Sequence, residues 1–373
     1  MQQVQTPTRF LLVLLLLPFV LGACNHRLPA PSAMPAPTSQ SATTSPTLTL
    51  TQTHTQASTP TQKTPNPTAI PSKTQQPSIT PDQRVILMAV GDIMLGRTIG
   101  AMIETSGPEA PFIDTAETLR SADIAVGNLE CPISARGQAE PKTYAFRAPV
   151  SAGESLAYAG FNLVNLANNH SLDYGPLALS DTLEILAANQ VLSVGAGMNE
   201  SEAYAPVFVE IDGLRIAFLG FVDVNPTDYD YRTWEAGPAK PGVAWAHEAR
   251  VRDAVTAAKA EADVVIVLVH NGYELVTQIA SQQQAIARLA IESGASLVIG
   301  SHPHVLQRIE RYQDGLIVYS MGNFVFDNFL FPPNYTAILV VELSPQGVET
   351  YELMDVIIQL NGIPQIMPYT LEP

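Results

Sequence analysis

The sequence predicts an α/β domain with a mixed β-sheet, arranged as two sheets flanked by helices. The first observation is a set of five short apolar runs between residues 85 and 300. Most of these runs lack the polar alternation of a half-exposed strand, which is typical of strands covered on both faces. The second observation is helical periodicity between the runs. The third is a pair of hairpin signals, around Asp212-Gly213 and around residues 313–315.

The elements follow in chain order. Buried strands are predicted at residues 85–90, 124–126, 163–167, 264–269 and 297–299. Clear helical patterns occupy residues 177–189, 248–262 and 278–293. The hairpins pair residues 207–211 with 214–221 and residues 308–312 with 316–319, and late strands are predicted at 337–343 and 351–358. No repeat and no second-domain boundary is visible after residue 85, so residues 85–373 are predicted to form one domain.

Composition excludes several classes of protein. The chain has 373 residues, two cysteines and one strongly apolar segment, which excludes a disulfide-stapled miniprotein and a polytopic membrane protein. The net charge is −16, and residues 85–373 alone carry −20. Such a charge argues against binding to nucleic acid or to an anionic membrane surface.

The N-terminus is predicted to be a signal peptide of residues 1–23. Arg9 precedes an apolar run over residues 10–21, which is too short to span a bilayer but suits a signal-peptide core. The run ends in Leu21-Gly22-Ala23-Cys24, which resembles a bacterial lipobox, so Cys24 is the predicted lipidation site. The alternative is an ordinary signal peptide with a chance cysteine.

Residues 24–84 are predicted to be a disordered tether, because they are rich in Thr, Pro and Ser and lack large apolar groups. The domain would then be extracytoplasmic, held to the membrane of a bacterial cell envelope by a lipid. Cys131, the one cysteine left in the domain, is expected to be a buried apolar residue.

Polar side chains gather where predicted strands end, and ligands of open α/β sheets bind at that edge. The residues are Asp92, Glu130, Asn169, His170, His270, His302 and His304. Each alone has an ordinary structural reading, as a turn cap, a loop carboxylate or a hydrogen-bonded histidine. Their joint placement predicts a metal site, because burying such a cluster without an ion is costly. Imidazole, carboxylate and carboxamide donors suit zinc, manganese or iron better than calcium.

Six motifs contain these residues or lie close to them in the chain. They are Gly91-Asp92-Ile93-Met94-Leu95-Gly96-Arg97, Asn128-Leu129-Glu130, Ala167-Asn168-Asn169-His170 with Asp173, His270-Asn271-Gly272-Tyr273-Glu274, Gly300-Ser301-His302-Pro303-His304, and residues 319–327. In this order they resemble the motifs of the capsule-synthesis CapA family, which is associated with poly-γ-glutamate and related to calcineurin-like metallophosphoesterases. The resemblance covers roughly residues 85–345. It implies a metallophosphoesterase-like mixed β-sandwich flanked by helices, with a site for one or two divalent ions.

The resemblance also implies roles for individual residues. Asp92 and His304 would bind the first metal, and Glu130 would stand near the bridging position. Asn169, His270 and His302 would bind the second metal. His170 would be a general acid or charge stabiliser, oriented by Asp173. Met94 stands where the phosphoesterases have a histidine, so the first metal would lose an imidazole.

Two further side chains have open roles. Arg97 could bind an anionic substrate group or be a surface charge at the start of a helix. Glu274 could be a base, a carboxylate behind a ligand, or a turn residue.

Three functions stay open from sequence. The first is a metal-dependent hydrolase or transferase acting on a phosphoester or on a poly-γ-glutamate-like polymer. The second is a non-catalytic factor that assembles or exports an anionic capsule polymer with the capsule synthesis machinery, using the metal for binding. The third is a polar cluster that is only structural.

Overall fold

The computed structural model describes residues 84–224, 229–327 and 331–368. The predicted signal peptide, Cys24 and the tether up to residue 83 lie outside the described residues. All described residues belong to one compact unit. Within them, Arg84 at the end of the predicted tether pairs with Glu342. No helix in these ranges combines the length and the apolar character that crossing a bilayer requires.

Sixteen strands form in the described residues. They are β1 (Val85–Ile93), β2 (Ile124–Leu129), β3 (Leu163–Asn165), β4 (Leu192–Val194), β5 (Ala196–Gly197), β6 (Val207–Ile211), β7 (Leu214–Val224), β8 (Gly242–Val243), β9 (Val264–Gly272), β10 (Leu297–Ser301), β11 (Ile309–Tyr312), β12 (Gly315–Val318), β13 (Asn323–Val325), β14 (Tyr335–Ser344), β15 (Gly347–Ile358) and β16 (Pro364–Ile366).

Seven α-helices accompany them in the same ranges. They are α1 (Arg97–Ser106), α2 (Ala116–Leu119), α3 (Ala152–Ala159), α4 (Gly175–Ala188), α5 (Glu200–Ala203), α6 (Glu248–Lys259) and α7 (Ser281–Glu292). Two 3₁₀ turns add Ala110–Phe112 and Tyr231–Trp234.

Two mixed sheets form the body of the domain. The first has the order β16-β15-β14-β1-β2-β3-β4, with β13 paired to β1, and its strands β1 to β4 run parallel. The second has the order β11-β12-β10-β9-β7-β6, with β7, β9, β10 and β12 parallel and an antiparallel strand at each edge. The short strands β5 and β8 pair separately.

Apolar side chains divide these sheets into layers. One core takes alternate residues from both sheets, such as Leu87 and Val126 from the first and Ile216 and Ile266 from the second, so the two sheets pack face to face. A second core lies between the first sheet and helices α1 to α4, and a third lies between the second sheet and helices α6 and α7. The predicted fold class, an α/β mixed β-sandwich flanked by helices, is confirmed.

Some predicted boundaries were wrong for identifiable reasons. Asp92 and His270 lie inside β1 and β9 rather than after them, because they are themselves paired, Asp92 with Asn128 and His270 with Ser301. The helix predicted at 278–293 begins at Ser281, where the Ala280 amide donates to the Gln283 side chain at 3.3 Å. The sequence analysis gave no bounds for α1, but the start of a helix was one of its two interpretations of Arg97, which is the first residue of α1.

Candidate metal centre

The carboxyl ends of parallel strands from both sheets meet at one place. In the first sheet, β1 carries Asp92 and β2 leads directly into Glu130. In the second sheet, β9 carries His270 and β10 leads into His302. All four side chains are buried, with exposed fractions between 0% and 6%. The predicted convergence of distant segments therefore exists in the structure.

Glu130 lies at the centre of this cluster. Its Oε1 atom is 3.8 Å from His170 Nε2 and 3.9 Å from both His270 Nε2 and His304 Nε2. Within the described ranges, neither carboxylate oxygen has a hydrogen-bond partner. Burial, and then the charges of Asp92 and Glu274, raise the pKa of this carboxyl well above its ordinary value. A buried carboxylate beside a second carboxylate is costly to keep charged unless a cation compensates it.

Two groups of possible ligands share Glu130. One is Glu130, His270 and His302, and the other is Asp92, Glu130 and His304. The donor atoms of each group lie within 4.8 Å of one another. A carboxylate common to two ligand sets could bridge a pair of ions.

Asn169 joins the first of these groups. Its Oδ1 atom is 2.7 Å from His270 Nε2, which is within hydrogen-bonding distance. The buried Nδ1 atom of His302 also has no hydrogen-bond partner among the described residues. Burial lowers the pKa of both His270 and His302 well below the ordinary value, and nearby imidazoles add to the effect. Neutral imidazole is the form that binds a metal.

The segment between His302 and His304 has an unusual backbone. His302 has a φ of 95° and His304 a φ of 56°, a region that residues with a side chain rarely adopt. The His302 amide donates to Asp92 Oδ2 at 3.2 Å, and the Pro303 carbonyl accepts from the Leu275 amide at 2.8 Å. These contacts hold the strained turn so that both imidazoles face the cluster.

A set of uncharged side chains orients the possible ligands. Asn128 donates to Asp92 Oδ1 at 2.8 Å. His304 Nδ1 is 2.8 Å from Asn323 Oδ1, and His270 Nδ1 is 2.9 Å from Ser301 Oγ. Such contacts select the ring nitrogen that is left to face a metal.

His170 approaches the cluster without belonging to either ligand group. Its Nδ1 atom is 2.7 Å from Asp173 Oδ2, and its ring stacks on Phe146 with the ring centres 4.2 Å apart. Its Nε2 atom therefore faces Glu130. Burial lowers the pKa of His170 to about 4, so the imidazole is neutral at neutral pH.

Lys142 completes this assembly and was missed by the sequence analysis. Its ammonium donates to Asp173 Oδ1 at 2.6 Å and to the Asn169 carbonyl at 2.7 Å. The Lys142 side chain is 1% exposed, and its Nζ atom lies 4.8 Å and 5.0 Å from the ring centres of Tyr231 and Trp234. Lys142 thus supplies the charge that a buried Asp173 needs. It lies in an irregular segment of the chain, which periodicity does not mark.

Replacement of Lys142 by methionine is expected to lower the free energy of unfolding by about 3–5 kcal/mol, because Asp173 would be buried without its cation. Urea unfolding measures this change. Adding Asp173→Asn should recover part of the lost stability. The loss of unfolding free energy in the double variant should therefore be smaller than the sum of the losses in the two single variants. Lys259→Met, on the exposed face of α6, is the matched control. Equal effects of the two lysine substitutions would contradict the assigned role.

Arg97 lies beside the centre rather than in it. Its guanidinium packs over the Phe146 ring at 4.6 Å and the Phe326 ring at 5.5 Å, and it pairs with Asp327. Glu274 lies farther out, exposed on the segment that follows β9. Asp92 raises the pKa of both Glu130 and His304, and the charge of Glu274 adds a smaller effect in the same direction.

Met94 does not take part in the cluster. It is fully buried in the core between the first sheet and its helices, and its sulfur accepts from the Gly96 amide at 3.1 Å. The possible ligand group around Asp92 therefore contains one imidazole, that of His304. Cys131 is also buried, as expected, and burial raises the pKa of its thiol to about 12.

Comparison with known proteins identifies the family. The family described as "Bacterial capsule synthesis protein PGA_cap" matches residues 86–328. The chain belongs to this family. Among relatives, the "Capsule biosynthesis protein CapA" of Bacillus anthracis is 30% identical over 297 residues, which are 78% of this chain and 71% of that protein. The "PGA biosynthesis protein CapA" of Bacillus subtilis (strain 168) is 32% identical over 268 residues, which are 71% and 69% of the two chains.

A solved structure also resembles this member of the capsule synthesis family. It is the crystal structure of a hypothetical protein from Thermus thermophilus, with a TM-score of 0.46 and 16% identity. The match covers 72% of this chain and 98% of that chain.

Proposed function

We propose that this member of the capsule synthesis family is a metal-dependent hydrolase that acts on an anionic extracytoplasmic substrate. The observation that carries the proposal is Glu130, a fully buried carboxylate whose two oxygens lack partners among the described residues while three imidazole nitrogens lie within 4 Å of Oε1. A polar cluster with only a structural role would satisfy its own carboxylate. A bound cation would supply the missing partner of these oxygens.

The donors fit one or two divalent transition-metal ions. Glu130, His270, His302 and Asn169 would hold one ion, and Asp92, Glu130 and His304 would hold the other. Imidazole nitrogens together with carboxylate and amide oxygens favour manganese, zinc or iron. When bound, such an ion supplies Lewis acidity that activates water and polarises a substrate oxygen.

Side chains of the protein would transfer the proton and bind the charged group of the substrate. His170 is neutral and its Nε2 atom faces the centre, so it can take a proton from the attacking water and return it to the leaving group. Asp173 accepts from Nδ1 and keeps that ring orientation, and Lys142 holds Asp173 in place through an ion pair. Arg97, about one third exposed, is positioned to attract an anionic substrate group.

The substrate is proposed to be a phosphoester or an amide of a poly-γ-glutamate-like polymer used in capsule biosynthesis. The test is elemental analysis of the purified protein, with a substrate screen of the wild type beside Asp92→Ala and His270→Ala. We expect manganese, zinc or iron in the wild type, and loss of metal and turnover in both variants. The proposal would be refuted if the purified protein contained no metal and took up none when manganese or zinc was added. Metal-dependent polymer binding without turnover would instead favour a non-catalytic role in polymer assembly or export.

We also propose that the protein works outside the cytoplasm as a membrane-anchored lipoprotein of the cell envelope. The support is the predicted signal peptide over residues 1–23, the lipobox-like Leu21-Gly22-Ala23-Cys24 and the Thr/Pro/Ser-rich residues 24–84. The lipid would hold the domain at the membrane, where the tether lets it reach a polymer that is being made or exported.

Replacement of Cys24 by serine is expected to move the protein from the membrane fraction to the soluble extracytoplasmic fraction, because the acceptor thiol is lost. Immunoblots of the separated fractions measure this shift. Cys131→Ser is the control. Because Cys131 is buried in the domain, its substitution should leave the distribution between the fractions unchanged. Membrane retention of the Cys24 variant would contradict lipidation at this residue.

A further inference from the structure

Asn168 lies behind the candidate metal centre and takes no part in the proposed mechanism. Its side chain is 1% exposed and makes four hydrogen bonds within the described residues. We infer that Asn168 is a positioning residue, which holds β2 with Glu130 and the segment after β3 with Asn169 in the arrangement that binds the metal. This inference rests on the proposed function in one respect, which is that an ion binds at the centre.

The side-chain oxygen of Asn168 serves the local turn. Its Oδ1 atom accepts from the His170 amide at 3.0 Å and from the Ser171 hydroxyl at 3.1 Å. A side-chain oxygen that accepts from the amide two residues later is the ordinary pattern of an asparagine in a turn. A serine hydroxyl can form the same kind of turn. The local turn alone therefore does not require asparagine.

The side-chain nitrogen of Asn168 reaches the neighbouring strand β2. Its Nδ2 atom donates to the Leu129 carbonyl at 2.8 Å and to Asn128 Oδ1 at 3.2 Å. These two residues directly precede Glu130 in the chain. Because both acceptor sites and both N–H groups of the Asn168 amide are used, the amide has one orientation. Asn168 thus connects the end of β2 to the segment after β3.

The contact with Leu129 fixes the peptide unit that joins Leu129 to Glu130. The carbonyl of this unit accepts from Asn168, and its amide, that of Glu130, donates to the Ile93 carbonyl at 2.9 Å. The Glu130 carboxylate has no hydrogen-bond partner among the described residues, so contacts of its own do not orient it. The place of this carboxylate at the centre therefore depends on the peptide unit that Asn168 holds.

The contact with Asn128 extends the support to Asp92. Asn128 Oδ1 accepts from Asn168 and, at 3.0 Å, from Asn165 Nδ2. Because its oxygen faces these two donors, the Asn128 amide nitrogen is turned toward Asp92 Oδ1, to which it donates at 2.8 Å. Asp92 and Glu130 belong to the same possible ligand group. Asn168 therefore supports both carboxylates of that group, one through the backbone and one through Asn128.

Titration of the full-length protein in detergent with Mn²⁺, after a chelator has removed any metal, tests this inference. Asn168→Ser is expected to weaken Mn²⁺ binding by about 10- to 100-fold, which is the usual cost of removing a group that orients metal ligands. Serine can keep the local turn but is too short to reach β2. Asn168→Ala should weaken binding to a similar degree. Asn128→Ala should weaken it about tenfold, because only the support of Asp92 is lost.

Asn162→Ser is the matched control. Asn162 also bonds to the backbone of β2, but near the start of the strand, where its Oδ1 atom accepts from the Ala125 amide at 2.7 Å. Its substitution should leave the Mn²⁺ affinity unchanged. Urea unfolding of the metal-free proteins establishes that each variant is folded and measures its loss of stability. A role in folding alone would lower stability without changing the Mn²⁺ affinity of the folded protein.

Unchanged Mn²⁺ affinity in Asn168→Ser would overturn the inference, as would an equal loss of affinity in Asn162→Ser. If the Asn168 variants do not fold, Asn128→Ala decides in the same way. Turnover is measured on the same samples. A wild type that takes up no Mn²⁺ would refute both the hydrolase proposal and the role of Asn168. The expected affinities without turnover would refute the hydrolase proposal alone.

Discussion

Replacement of Glu130 by glutamine is expected to abolish metal binding, measured by elemental analysis after dialysis and by titration with Mn²⁺ or Zn²⁺. Glu130 is the one residue common to both possible ligand groups in the described residues, so its substitution removes an anionic donor from each. Glutamine keeps nearly the same shape, and the loss can be assigned to the charge. Glu352→Gln, at an exposed position in β15, is the control and should keep the wild-type metal content.

The same substitution is expected to stabilise the metal-free protein by about 1–3 kcal/mol, because it removes a buried carboxylate with two unpaired oxygens. The effect should depend on pH. The pKa of Glu130 is raised in the folded state, so the metal-free wild type loses stability as pH rises above the ordinary carboxyl value of 4.5. Glutamine does not titrate. The stability difference between variant and wild type should therefore grow from pH 4.5 upward.

The diagnostic result is a stability difference between variant and wild type that changes sign when metal is added. With metal present, the wild type should be the more stable protein, because an ion that binds only the folded state adds to its stability. Without metal, the variant should be more stable. A variant that is less stable than the wild type under both conditions would mean that Glu130 has an ordinary structural partner, and the metal proposal would fail.

The fold could be predicted to a large extent from apolar patterning. Strands such as β9 and β10 are continuous apolar runs because both faces are covered, and the hairpin of β6 and β7 has its turn at Asp212-Gly213 as expected. The ends of strands were less predictable. Backbone pairing carries β1 through Asp92 to Ile93, although the sequence there already resembles a loop. Pairing between distant segments leaves no local signal.

The candidate site was predictable where it lies at the ends of strands and not elsewhere. Asp92, Glu130, His270 and His302 follow from strand ends and from family motifs, and the structure places them together. Lys142 could not be found in this way, because its contact with Asp173 depends on how an irregular segment folds over the centre.

Asn323 and Asp327 belong to a segment that the sequence analysis quoted, but no role was assigned to them. In the structure, the Asn323 Oδ1 atom lies 2.8 Å from His304 Nδ1, and Asp327 pairs with Arg97. Their place in the motif was the available signal.

Replacement of His170 by alanine is expected to lower hydrolysis by about 10²–10⁴-fold while metal content stays at the wild-type level. His170 belongs to neither ligand group, yet its Nε2 atom lies 3.8 Å from Glu130 Oε1, so it could pass a proton to the leaving group of a substrate bound at the proposed metal centre. Asp173→Asn should also lower turnover, because Nδ1 loses the acceptor that fixes the ring. Steady-state rates with the substrate found in the screen, and metal analysis of the same samples, measure both effects.

His247→Ala is the matched control for His170→Ala. His247 precedes α6, its side chain is 51% exposed, and it pairs with Glu235 away from the cluster. Its substitution should leave turnover and metal content unchanged. Loss of metal in His170→Ala would show that His170 is a ligand, and full activity would remove it from the mechanism. Measuring metal binding and turnover separately distinguishes the two candidate functions. A protein that only binds a polymer through its metal would keep its affinity for the polymer in His170→Ala.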